Sequence, residues 1–246
     1  MAIADSLIFY PERYPIGQWE PPCFAYEDAF FTATDGTRLH GWFCAHDQPR
    51  AVVLFSHGNA GNISHRWPIL QAWNLQLRLS ILMYDYRGYG RSEGKPTETG
   101  ILDDARAARG WLAERTGLAP EQIAVVGEAI GGAVAVDLAA ADGARAVVLE
   151  NTFSSLAEVA AHHFPWLPVR LFLSDRLDSA GKIGAYRGPL LQTHGDADSI
   201  VPYRLGEKLF AAANEPKRLV TVPGGDHNDP PSALYFNALD EFLDQL

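Results

Sequence analysis

Ile123-Ala124-Val125-Val126-Gly127-Glu128-Ala129-Ile130-Gly131-Gly132 passes from strand to turn to helix without a linker. The first four residues are apolar and of strand character, and an apolar helical run continues from Ile130 to about residue 140. Such an abrupt turn holds its central residue, Ala129, at positive φ. Side chains two residues to either side would then collide, which is the physical reason for Gly127 and Gly131. The central side chain is presented at the N-terminus of the helix, where the dipole favours negative charge. Paired glycines alone often mark only close packing. Their place between a strand and a helix gives these a sharper meaning.

Working outward, short apolar runs alternate with longer helical stretches. Runs at 51–55, 80–84, 123–126, 146–149, 189–192 and 218–222 suit strands, with helices expected near 64–75, 101–115, 130–140, 203–213 and 232–245. In the second helix Ile101, Ala105, Ala108 and Leu112 share one face, while Asp103, Arg106, Arg109 and Glu114 point elsewhere. Gly117 and Pro120 end it. Unbroken apolar strands between one-sided helices imply a mostly parallel sheet covered on both faces. Ahead of this alternation, 26–32 and 37–46 form an expected antiparallel hairpin around Asp35-Gly36. The residues through Pro22, rich in proline and aromatics, read as an irregular arm on the body. The expectation is one α/β domain over 1–246.

The rhythm breaks between 151 and 188. Two short helical pieces, 155–163 and 169–173, flank Pro165, Trp166 and Pro168 where the next strand should fall. An insertion after a strand's C-terminal end lies over the sheet edge where ligands bind. It is read as a small helical cap carrying Phe153, Phe164, Trp166 and Phe172, with a purely structural excursion as the alternative.

Composition narrows the function. The 246 residues include 47% from the AVILMFWYC set and 20% charged, enough for a sizeable core. Thirty acidic against 20 basic residues give a net charge of −10, which repels phosphate backbones and anionic lipid. Nucleic-acid binding and polybasic membrane anchoring are therefore not expected. Cys23 and Cys44 are too few for a disulfide framework or a zinc cluster and suit a reducing, cytoplasmic setting. No uncharged apolar run approaches the roughly 20 residues that span a bilayer. The opening MAIADSLIFYPERYP lacks the basic and apolar regions of a secretory signal.

With serine in place of Ala129, the central turn would be a G-x-S-x-G nucleophile elbow. Two further sets of residues give that comparison weight. After the strand at 51–55 come Ser56-His57-Gly58-Asn59-Ala60-Gly61, a turn that leaves the Asn59 amide facing the elbow. With the amide of Ile130 it would form an oxyanion hole. After the strand at 189–192 come His194-Gly195-Asp196-Ala197-Asp198. After the one at 218–222 come Pro223-Gly224-Gly225-Asp226-His227. The chain order is then nucleophile position, acid, histidine, each following a strand. Asp196, and more remotely Glu150, are alternative acids.

His57-Gly58-Asn59-Ala60, Asp85-Tyr86-Arg87-Gly88-Tyr89-Gly90, Gly127-Glu128 with Ile130-Gly131-Gly132, His194-Gly195 with Asp198 and Val201-Pro202, and Gly225 with His227 together resemble the α/β-hydrolase superfamily. The likeness is to bacterial relatives of the α/β-hydrolase-domain depalmitoylases and runs from about residue 26 to the end. It implies an α/β-hydrolase fold, Asp198 orienting His227 as general base, and the Asn59 and Ile130 amides binding the oxyanion. It further implies cofactor-free hydrolysis of small-molecule carboxylic esters or thioesters.

The family has serine where this chain has Ala129. A methyl group cannot attack a carbonyl, and loss of a serine nucleophile costs about 10⁶ in kcat. Negligible turnover is expected. The surviving strained elbow, acid, base and oxyanion turn favour an introduced replacement over a chain long released from catalysis. A natural pseudoenzyme that binds acyl compounds, or a peptidase or amidase of the same fold, are the alternatives.

Gly58, Phe153, Trp166 and Phe172 are the expected pocket, and an apolar acyl or aryl group follows if they line it. These aromatics and Tyr186 could equally be core of the cap. His57 and His194 read as structural hydrogen-bonders, and Asp85 with Arg87 as a loop-holding ion pair. Trp42, Trp67, Trp73 and Trp111 read as packing. His162-His163 lack a third ligand at metal spacing, so no metal is expected.

Overall fold

The computed structural model describes residues 8–22, 25–166, 168, 173 and 175–246. Phe172 and the helical piece expected at 169–173 lie largely outside them. The strands are β1 (Tyr10–Pro11), β2 (Glu27–Thr32), β3 (Arg38–Cys44), β4 (Ala51–Ser56), β5 (Ala60–Gly61), β6 (Leu79–Asp85), β7 (Ala124–Glu128), β8 (Val147–Glu150), β9 (Leu190–Gly195) and β10 (Lys217–Val222). The helices are α1 (Trp67–Gln76), α2 (Glu98–Thr116), α3 (Ile130–Asp142), α4 (Leu156–His163), α5 (Ser179–Ile183), α6 (Tyr203–Ala212) and α7 (Ala233–Leu243).

Eight strands form one sheet in the order β10-β9-β8-β7-β4-β6-β3-β2. All neighbours from β10 to β6 are parallel, and the β2–β3 hairpin joins antiparallel through β3 and β6. The alternating side chains of the buried strands feed two cores. Leu54, Leu82, Val125 and Leu149 pack with Ile101, Ala105, Leu112 and Val134 of α2 and α3. Val53, Ile81, Val126 and Val148 pack on the opposite face with Leu70 and Trp73 of α1 and Leu239 and Phe242 of α7. Helix α3 presents apolar residues all round and is buried along most of its length.

The topology chooses the site. From β4 the chain steps to β6 on one side, then crosses back through α2 to β7 on the other side of β4. In an open α/β sheet, ligands bind outside the carboxyl ends of the strands at such a reversal. Here that rule points to the loop leaving β4 and the turn leaving β7.

One sequence expectation fails. Asp85 and Arg87 do not pair with each other, because the chain leaves β6 and turns, with the Tyr89 amide on the Tyr86 carbonyl (2.9 Å). Arg87 instead reaches buried Asp104 through Nε (2.9 Å) and Nη2 (2.7 Å), and Asp35 through Nη1 (2.7 Å). Burial raises the Asp104 carboxyl to about 6, although its bonds from Arg87 oppose the rise. Asp85 turns inward to the amide of Ile63 (3.0 Å) and to His57 Nε2 (3.5 Å).

Candidate active site

The turn after β7 places Ala129 at φ 51°, ψ −116°. Its amide donates to the Glu150 carbonyl (2.9 Å), and its carbonyl accepts from Gly132 N (3.0 Å) and Thr152 Oγ1 (2.7 Å). Those bonds fix the apex to the end of β8. Glycine on either side is a matter of backbone contact. A Cβ on Gly127 would stand 2.1 Å from the Gly131 carbonyl oxygen, and one on Gly131 would stand 2.0 Å from that of Ser56. The helix α3 can start where it does only because both are bare. The methyl of Ala129 is buried, and Ile130 opens α3.

The loop after β4 is held from several directions. Tyr86 Oη donates to the His57 carbonyl (2.7 Å), and His57 Nδ1 lies 2.6 Å from the Gly58 carbonyl. Arg66 donates to the carbonyls of Ala60 (2.9 Å) and Asn62 (3.1 Å) and comes within 3.5 Å of that of Gly58. Its Nε lies 3.8 Å from Glu128 Oε2, so the residue before the apex leans toward this loop. Among the described residues neither the Asn59 nor the Ile130 amide has a hydrogen-bond partner.

The loops after β9 and β10 bring Asp198 and His227 together. Asp198 Oδ1 accepts from the amides of Ile200 (2.9 Å) and Val201 (2.7 Å). That leaves Oδ2 for His227 Nδ1 at 2.8 Å and His194 Nε2 at 3.3 Å. Burial alone would raise the Asp198 carboxyl. The bonds from His194 and His227, the charge of His227 and the Val201 amide outweigh it and hold the carboxyl well below its ordinary range. Asp196 is committed elsewhere, accepting from the Gly224 amide at 2.6 Å.

Several of the side chains that place these groups went unread in the sequence. Asn151, at φ 45°, donates to the His227 carbonyl (3.2 Å) and accepts from the Gly195 amide (3.1 Å), tying the His227 loop to the end of β9. Asp226 Oδ1 accepts from Ser199 N (2.8 Å), Ser199 Oγ (2.8 Å) and His227 N (2.7 Å). A polar residue at the end of an apolar strand was the only local sign of Asn151. Glu150 takes the Tyr235 hydroxyl. Burial pushes its carboxyl up to about 8; the Tyr235 bond opposes the rise and nearby Glu128 adds to it.

The expected pocket residues separate. Gly58 borders the Glu128 carboxyl, while Phe153 is 3% exposed and packs in the core beneath α3. Trp166 is 77% exposed, its ring edge-on to that of Phe164. Tyr186 is buried and donates to the Pro189 carbonyl (3.2 Å). In α4, His163 Nε2 donates to the Ile200 carbonyl (2.7 Å), and Arg204 donates to His162 Nδ1 (3.2 Å). Among the described residues no three His, Cys, Asp or Glu side chains stand together as metal ligands. No helix among them is long and apolar enough to cross a membrane.

A doubly covered, mostly parallel sheet, with a strained turn at its reversal point and a carboxylate–imidazole pair on the loops beyond, defines a class. The chain belongs to the α/β-hydrolase family, whose sequence model, described as the alpha/beta hydrolase fold, matches residues 51–181. It is 44% identical over 226 residues to an uncharacterised protein of Mycobacterium tuberculosis, covering 91% of this chain and 80% of that one. It is 34% identical over 255 residues to the alpha/beta hydrolase domain-containing protein WAV2 of Arabidopsis thaliana, covering 93% and 82%. Among solved structures, the Pyrococcus furiosus esterase Pf2001 shares the fold at a TM-score of 0.74 and 21% identity, covering 97% of this chain and 98% of its own.

Proposed function

We propose that this chain is the scaffold of a serine hydrolase for carboxylic esters or thioesters, with the nucleophile position occupied by Ala129. The observation that carries the proposal is the 2.8 Å contact between Asp198 and His227, whose loop is bonded to Asn151 just after β8, the strand that also fixes the Ala129 turn.

In the complete site, a serine at 129 would attack the acyl carbon. With Nδ1 engaged by Asp198, His227 Nε2 would take the hydroxyl proton and return it to the leaving group. Asp198 would hold that tautomer and stabilise the imidazolium. The amides of Asn59 and Ile130 would receive the oxyanion, and water would release the acyl group by the same steps. The helical excursion at 151–188 acts as a small cap in this reading, which suits small-molecule substrates. A cytoplasmic setting belongs to the same reading, and buried Cys44 has its thiol pushed up to about 12 by burial.

The test is Ala129→Ser beside the chain as it stands, on p-nitrophenyl esters and acyl thioesters of increasing chain length. Hydrolysis is expected only from the serine variant. Absence of turnover from it, with circular dichroism and thermal unfolding unchanged, overturns the proposal.

A further inference from the structure

Asn59, whose backbone amide is assigned to the oxyanion, turns its side chain onto the N-terminal arm. Its Nδ2 donates to the Ile8 carbonyl. Its Oδ1 accepts from the Tyr10 amide (3.4 Å) and from Tyr89 Oη (2.9 Å). The arm lies along the loop as β1 beside β5, with Tyr10 opposite Ala60 and Pro11 opposite Gly61. Glu12 N donates to the Gly61 carbonyl (3.2 Å), and Asn62 Nδ2 donates back to the carbonyls of Glu12 (3.1 Å) and Ile16 (2.9 Å).

The far side of the arm is fixed to the loop after β6. Tyr14 N donates to the Gly90 carbonyl and Gly90 N to that of Glu12, both at 2.9 Å. Buried aromatics peg both ends, Phe9 in the core with Tyr86 and Tyr89, and Trp19 in the opposite core with Trp42. The arm is thus a strap pegged through the body of the protein, with the Asn59 loop fastened to it.

Such fastening has a use here. The loop carries glycine at 58 and 61, the latter at φ 77°, and glycine leaves a backbone with many conformations of similar energy. An oxyanion donor stabilises charge most when it is already aimed before the charge develops. We propose that Asn59 is a positioning residue: its carboxamide keys the 57–62 loop to the N-terminal arm, and the arm fixes the direction of the amide that receives the oxyanion. This rests on the hydrolase reading above.

The experiment measures p-nitrophenyl butyrate hydrolysis in the full chain carrying Ala129→Ser. Adding Asn59→Ala lowers kcat by about 10- to 100-fold, as expected for a donor displaced rather than deleted, and changes KM by less than about threefold. Adding Tyr89→Phe, which removes a hydroxyl that bonds both Asn59 Oδ1 and the Tyr10 amide but leaves the Asn59 carboxamide on the arm, lowers kcat by only a few-fold. The two losses combine less than additively. Amide hydrogen exchange quickens together at 9–13 and 57–62 in the Asn59 variant, while β4 and β7 stay protected.

A kcat within threefold of the parent in Asn59→Ala, or a loss carried by KM alone, overturns the inference while hydrolysis by the parent keeps the hydrolase reading. If Asn59→Ala does not fold, an unchanged kcat in Tyr89→Phe overturns it in the same way. An inactive Ala129→Ser parent overturns both.

Discussion

Replacing Ala129 by glycine should release strain that the present residue cannot use. At φ 51°, ψ −116° the backbone is the mirror image of an ordinary extended conformation, which glycine adopts freely and alanine does not. Holding a non-glycine residue there costs about 1–3 kcal/mol. The substitution also removes one buried methyl, about 0.8 kcal/mol, and frees the unfolded chain by about 0.4–1 kcal/mol. These losses nearly offset the gain, so Ala129→Gly should change stability little. Ala133→Gly is the matched control. Its methyl is equally buried, but it lies inside α3 with no strain to release. It should destabilise by about 1.5–2 kcal/mol. The methyl and chain-freedom contributions cancel between the two variants, leaving a difference of about 2 kcal/mol, or about 4–8 °C in Tm for a chain of this size. Urea unfolding followed by circular dichroism, at equal m-values, reads that difference. Equal destabilisation within about 0.5 kcal/mol would refute a strained apex.

In the Ala129→Ser background, Asp198→Asn should cut kcat by about 10⁴ with little change in KM, because the imidazole loses its orienting carboxylate; steady-state kinetics decide, and a loss below tenfold removes Asp198 from that role. Gly131→Ala should destabilise by about 3 kcal/mol in urea unfolding, since its Cβ would meet the Ser56 carbonyl oxygen at 2.0 Å; a loss under 1 kcal/mol means α3 can slide away from β4. Folded, Glu150 keeps its proton up to about 8 against an ordinary 4.5, so the native state binds the extra proton across that window. This contribution to stability is complete below 4.5 and disappears as pH rises through 8, with a slope of at most about 1.4 kcal/mol per unit. Glu150→Gln should flatten this fall between pH 5 and 8.5, and parallel curves for the two proteins would refute the shifted carboxyl.

The sheet was legible because a strand buried on both faces leaves a continuous apolar run. The run expected at 51–55 appears as the fully buried Ala51–Ser56, whereas Lys217–Val222, expected at 218–222, is an edge strand that is mostly half-buried with Arg218 exposed. Helix α2 was read from its stripe, but its start at Glu98 is set by the Thr97 side chain, which accepts from the Gly100 amide. The helix expected at 64–75 begins only at Trp67, because Asn62 takes the Ser64 amide and winds 63–65 into a 3-10 turn. Asp198 and His227 stood out because both follow strands in a fixed order. Asn151, Arg66 and the Asn59 carboxamide did not, since their partners are set by how loops from different strands meet. The exposure of Trp166 has the same origin: an aromatic between two prolines carries no local sign of which side it faces.

The strap across the 57–62 loop also bears on the order in which the protein is built. Residues 8–16 precede their anchoring partners in synthesis, with Asn59 lying 49 positions beyond Tyr10 and Gly94 lying 81 beyond Arg13. Until that later sequence has left the ribosome and β4 and β6 have paired, the segment has nothing to fasten to. Its docking therefore waits on the pairing of β4 with β6, and a bulky fusion placed ahead of it would burden that step more than the formation of the sheet.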